Sequence, residues 1–123
     1  KLAQDSGTQM RIAAARNTIE EMTTVLLANF DTMMARLRTG STISLEDRIL
    51  YRYQAALVIE KSIEVVDSLF SSAGGSSVFQ GSAIQQRFLD IHTARAHVAN
   101  NPTAFARNLG AVALGAENSD FFV

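Results

Sequence analysis

A single proline, Pro102, in 123 residues is the feature that most narrows what this chain can become. Proline is costly inside a helix, so its near absence suits long uninterrupted ones. From Gln9 to Arg38, the residues Ile12, Ala15, Ile19, Met22, Leu26, Phe30, Met33 and Leu37 recur at steps of three and four. That spacing predicts one apolar stripe on a helix of about 30 residues, roughly 45 Å long. The stretch "TGST" breaks it, with Gly40 placed as the C-terminal glycine.

Ser44 followed by Asp47 resembles a capping box, which predicts a second helix from Leu45 to about Ser71. Its middle, "QAALVIEKSIEVVDSLF", is apolar on more than one face and is expected to be more enclosed than the first helix. Glu60, on the stripe of Tyr53, Ala56, Ile63 and Phe70, is expected to mark its edge. A third helix fits Ser82 to Ala99, with Ile84, Phe88, Ile91 and Val98 facing inward. Asn101 can cap a fourth, with Pro102 at its first position, where a missing N–H costs nothing. That helix carries Phe105, Leu109 and Val112 to about Gly115, and the tail "AENSDFFV" has no helical period. Its two phenylalanines are expected to dock on a neighbour. Four amphipathic helices with short connections predict an all-α fold, an antiparallel (up-and-down) four-helix bundle forming one domain over residues 1–123.

Charge and composition remove several function classes. The formal net charge is −1, and with basic residues scattered there is no strong field to attract nucleic acid or an anionic membrane. No run of 18 apolar residues occurs. There is no cysteine, which removes disulfides and thiolate metal sites and suits a reducing, cytoplasmic setting. A chain opening on Lys1, with neither an initiator Met nor a signal-peptide pattern, is expected to be a fragment or a processed product.

A helical bundle invites a di-iron site, which needs Glu-x-x-His pairs on facing helices. Leu89 precedes His92 by three and Ala94 precedes His97 by three, so that site is excluded and no metal is expected. The two histidines lie five apart, about 140° around a helix, and cannot chelate as an i, i+4 pair does. Neither a G-x-S-x-G elbow nor a P-loop is present. What remains is "FSSAGGSSVF", with two glycines between two pairs of serines. A loop that only turns the chain can use one glycine. Exposed N–H groups and hydroxyls before a helix make a seat for phosphate or for the polar edge of a ring system.

Together with "IQQRFLDIHTARAHVANNP", this stretch resembles the C-terminal helical domain of the acyl-CoA dehydrogenase fold, over about Tyr51 to Gly115. Arg87 and Asp90 stand where that family carries an Arg-Asp helix start. "VVDSLFSSAGGSSVFQ" and "DIHTARAHVANNP" look closest to the oxygenase components of two-component aromatic hydroxylases. The resemblance implies a larger flavoenzyme of which this is the C-terminal part. It also implies a homo-oligomer, a tetramer built on these bundles, a flavin cofactor (FMN in preference to FAD), a separate flavin reductase and a small aromatic substrate. The Gly-Gly turn of one subunit would reach a neighbour's flavin, which maps onto Gly74, Gly75, Ser76 and Ser77. A histidine beside the flavin ring maps onto His97, the catalytic candidate and a further cofactor contact.

Many dehydrogenases of the family place a catalytic Glu just past this helix. The corresponding stretch here, "AHVANN", holds no carboxylate, so removal of an α-proton lacks its base. An imidazole can instead donate a hydrogen bond to reduced flavin or to the oxygen it activates. Two alternatives stay beside the monooxygenase reading: an acyl-CoA dehydrogenase whose base comes from another segment, and a non-catalytic helical oligomerisation module. His92, with Phe88 and Ala96 at helical spacing, reads as structural.

Overall fold

The structure, a computed structural model, describes residues 2–123; the side chains of Leu2 and Ser76 lie outside the described residues. Four α-helices, α1 (Ser6–Arg38), α2 (Leu45–Ser72), α3 (Ala83–Ala94) and α4 (Pro102–Ala113), are joined by short connections, and no strand occurs among the described residues. The fold is all-α, a four-helix bundle with α2 at its centre, packed by α1 on one flank and by α3 and α4 on another.

Residue pairs along α2 fix the directions. Asn29 donates to Gln54 at 2.7 Å, Arg36 pairs with Asp47 at 2.7 Å, and Arg11 donates to the Ser68 carbonyl, so α1 and α2 are antiparallel. Phe88 stacks on Phe70 and the Arg52 guanidinium lies over Phe105, so α3 and α4 follow each other up α2, both antiparallel to it. Ile49, Ala56 and Ile63, seven apart on α2, form a buried line, and Ala15 of α1 and Phe105 of α4 are the other buried apolar residues among those described. As expected, α2 is the most enclosed helix, and Glu60 lies exposed at its edge.

Local backbone chemistry sets most boundaries. The Ser44 hydroxyl accepts from Asp47 N–H at 3.1 Å, and Gly40 takes φ +73° after α1. The Asn101 side chain accepts from Thr103 N–H, with Pro102 opening α4. Helix α1 starts earlier than its apolar period suggests, because Asp5 caps it by accepting from Thr8 N–H at 2.6 Å. That backbone bond holds the Asp5 carboxyl below its ordinary pKa. The cap is therefore complete above the usual carboxylate range and is lost as pH falls through the lowered value.

Two sequence expectations are corrected. Helix α3 ends at Ala94, five residues short of Ala99, and Val98 is 76% exposed within a separate 3-10 turn, Val98–Asn100. Asn100 Nδ2 donates to the Ala94 carbonyl at 2.8 Å and closes the helix there, after which the chain extends toward Pro102. The α1 stripe is only partly covered: Met22, Leu26 and Met33 are half-buried, while Ile12, Ile19, Phe30 and Leu37 remain exposed. The seam with α2 runs instead through Ala15, Met22, Asn29 and Arg36, seven apart.

The tail is held by an asparagine. Asn108, 4% exposed on α4, donates to Asn118 Oδ1 and accepts from the N–H and hydroxyl of Ser119, at 2.8–2.9 Å. Asp120 follows, its buried carboxylate 3.8 Å from Arg52 Nε, too long for a hydrogen bond. Asn108→Ala is expected to lower stability by about 1–3 kcal/mol, because two partners lose their acceptor or donor. Limited proteolysis should show the tail cut first, whereas wild-type resistance there would show that the tail is held by other contacts.

Candidate functional site

The Gly/Ser stretch is a short 3-10 helix, Gly74–Val78, that turns the chain from α2 into α3. Gly74 takes φ +69°, a left-handed conformation that lets the backbone leave α2 and that other residues adopt at a cost. Ser77 faces inward, 3% exposed, and donates to the Gly74 carbonyl at 2.6 Å, so its hydroxyl builds the turn. Gln85 of α3 donates to the Val78 carbonyl at 3.1 Å and fastens the turn onto the next helix.

Gly75 is different. Its φ is not positive and a Cβ there would meet nothing within 4 Å. Nothing within the described chain requires a glycine at this position. Beside it Val78 and Phe79 are 60% and 69% exposed, so an open backbone adjoins an apolar shelf. At the start of α3, Ser82 makes no side-chain cap bond, which leaves the first N–H groups of the helix uncapped by it.

His97 lies beyond the end of α3, exposed, as the cap of the Val98–Asn100 turn. Its Nδ1 accepts from Ala99 N–H at 3.1 Å. A neutral His97 therefore carries its proton on Nε2, at the outer edge of the ring, as a hydrogen-bond donor. The glycine turn and His97 stand at opposite ends of α3, a 12-residue helix about 18 Å long. They do not form one pocket within a single chain.

Arg87 and Asp90 pair with each other at 3.5 Å on the solvent side of α3, with Gln86 also donating to Asp90. His92 does pack on Phe88, with ring centroids 4.4 Å apart, as its spacing implies. Its polar partner is Asp67 of α2, at 2.8 Å, a contact across 25 residues that no local pattern announces. Among the described residues, no three His, Cys, Asp or Glu side chains gather as a metal site, and no helix is long and apolar enough to cross a membrane.

The all-helical arrangement around a long central helix belongs to a class that comparison with known proteins identifies. Residues 1–102 match the family model for the acyl-CoA dehydrogenase C-terminal domain, and the chain belongs to that family. Among characterised relatives, it is 29% identical over 102 residues to the flavin-dependent monooxygenase oxygenase subunit HsaA of Rhodococcus jostii (strain RHA1), covering 83% of this chain and 27% of that protein. It is 25% identical over 121 residues to the oxygenase component of the FADH(2)-dependent resorcinol hydroxylase of Rhizobium sp. (strain MTP-10005), covering 95% and 30%. The crystal structure of 3-HSA hydroxylase from Rhodococcus sp. RHA1 superposes with a TM-score of 0.93 at 28% identity, covering 98% of this chain and 32% of that one. The HsaA monooxygenase from M. tuberculosis gives 0.88 at 28% identity, covering 94% and 30%. The chain thus spans about a third or less of these relatives' length.

Proposed function

We propose that this chain is the C-terminal domain, residues 1–123, of the oxygenase component of a two-component flavin-dependent monooxygenase. In this reading the whole protein hydroxylates a small aromatic compound in the cytoplasm, with reduced flavin delivered by a separate reductase. The observation that carries the reading is the structural likeness to the 3-HSA hydroxylase along 98% of the chain, at 28% identity. The absence of a carboxylate from "AHVANN" favours it over dehydrogenation.

The residues fit a flavin. Gly74 and Gly75 give an open backbone, the Ser76 position continues it, Ser77 braces the turn from inside, and Val78 and Phe79 offer an apolar shelf. When bound, the reduced flavin supplies the activation of oxygen. The chain's own part is to seat it and to present a proton: Ala99 N–H keeps Nδ1 of His97 as an acceptor, so Nε2–H is the donor that faces outward. Because the turn and His97 lie at opposite ends of α3, they serve two different flavins in an oligomer, the turn reaching a neighbour's.

The exposed surface leaves room for contacts beyond this domain, with the rest of the intact protein or with other subunits. The chain exposes 8578 Å², whereas a monomer of 13.3 kDa typically exposes about 6,500 Å². A homotetramer built on these bundles covers the exposed apolar residues of α1. Phe121 and Phe122, 93% and 79% exposed, would dock on a neighbouring subunit.

Oxygen-free calorimetric titration of reduced FMN and reduced FAD into the intact protein tests the cofactor seat. FMN is the expected ligand, and the FADH(2)-dependent relative makes FAD the necessary comparison. Gly75→Val is the informative variant, because the described chain leaves room for a side chain there, whereas any substitution at Gly74 strains the turn itself. It is expected to weaken binding at least tenfold while light scattering shows an unchanged oligomer. Equal binding by both proteins would remove the turn from the site, and a wild type that binds neither flavin would overturn the monooxygenase reading.

A further inference from the structure

Four side chains clasp α3 to α2 away from both the glycine turn and the His97 ring. Phe70 packs on Phe88 at 4.6 Å between centroids, Phe88 packs on His92 at 4.4 Å, and His92 Nε2 meets Asp67 Oδ1 at 2.8 Å. The pairs lie three apart on α2 and four apart on α3, so each helix contributes one face. The clasp matters because α3 has no fully buried residue of its own. Its C-terminal end is not fixed by deep packing.

That end carries His97. The His97 N–H donates to the Ala94 carbonyl at 3.3 Å, and Asn100 Nδ2 donates to the same carbonyl at 2.8 Å. His92 sits in the last turn before Ala94. Residues 98–100 also pack directly on α2, so a shift or roll of this turn moves residues 95–97, and with them the Nε2 donor, against a segment that α2 holds. Apolar contacts such as Phe70 on Phe88 tolerate a roll of the helix, whereas a 2.8 Å bond to one ring nitrogen does not.

We propose that the Asp67–His92 pair is a positioning element that, together with the packing of residues 98–100 on α2, sets where His97 presents its proton, an inference that rests on the monooxygenase reading for its catalytic consequence but not for its geometry. His92 is thus a positioning residue acting through His97. The two side chains are 34% and 47% exposed, and a pair that open to water contributes little to global stability. A role in positioning accordingly predicts a local effect without a global one.

The test compares wild type, His92→Leu, Asp67→Ala and His92→Gln in the intact protein. Gln retains an N–H that can reach Asp67. Hydrogen exchange followed by mass spectrometry, without flavin, reads the peptide over residues 95–101, where Ala99 and Asn100 N–H are bonded to His97. His92→Leu and Asp67→Ala should each raise exchange there at least fivefold with an unchanged melting temperature, and His92→Gln should restore most of the protection. The same variants, loaded with reduced FMN and mixed with oxygen, should change the rate of flavin reoxidation at least threefold, again restored by Gln. Wild-type exchange at 95–101 in the Leu and Ala variants would overturn the positioning role. So would a uniform rise across 83–113 with a lower melting temperature, which marks a stability element instead. If wild type does not bind reduced FMN, the exchange data still decide the geometry, while the flavin reading fails separately.

Discussion

Replacing Phe105 with alanine is expected to lower the free energy of unfolding by about 3–5 kcal/mol, the range for emptying a buried aromatic site. Phe105 is 8% exposed and is one of only five apolar residues buried among those described. Its ring also lies 4.3 Å beneath the Arg52 guanidinium, a contact of roughly 0.5–2 kcal/mol depending on exposure. Arg52 has no compensating hydrogen bond at Nε, with Asp120 3.8 Å away. Truncation therefore opens a cavity at the α2–α4 contact and leaves a half-buried cation facing it. Phe105→Leu separates the two effects by refilling most of the volume without the ring, and should cost less than half as much. Urea midpoints at one fixed protein concentration decide the matter, since assembly would otherwise shift them. A loss below about 1 kcal/mol for the alanine variant would mean that this part of the core relaxes to fill the gap.

How far the sequence alone reaches follows from the range of the interactions involved. Ser44, Gly40, Asn101 and Pro102 act on backbone groups within three residues, and each boundary they imply is found in the structure. The end of α3 was not legible, because Val98 keeps the apolar period seven residues after Ile91. What stops the helix is the Asn100 side chain on the Ala94 carbonyl, a contact that requires the turn to exist already. Asn108 and the Asp67–His92 pair were missed for a related reason. Their partners lie 10 to 25 residues away, and nothing in an isolated helical pattern distinguishes an asparagine facing a tail from one facing water. The side of α1 that meets α2 was blurred by apolar residues on two faces, of which this chain covers one. The glycine turn stood out by composition. Its division into a strained Gly74 and an unstrained Gly75 depends on φ, which the sequence does not carry.

His97→Val is expected to reduce product formed per reduced flavin by about 10²-fold, the scale for removing one preorganised donor aimed at developing charge. This prediction rests on the proposed monooxygenase activity and is made for the intact protein assayed against a panel of small aromatic compounds. Valine fills part of the imidazole volume but offers no N–H, so the expected loss is in chemistry, with flavin affinity within about threefold of wild type. The substitution also removes the acceptor of Ala99 N–H. That group is exposed to water on the protein surface, and its loss should cost well under 1 kcal/mol of stability. His97→Asn is the necessary companion, since Asn at a cap can still accept from Ala99 N–H while its own N–H cannot reach as far as Nε2. If both variants lose hydroxylation to the same extent, the outward donor is what matters. If Asn restores activity and Val does not, the ring serves only to hold the turn, and the proton must come from another group.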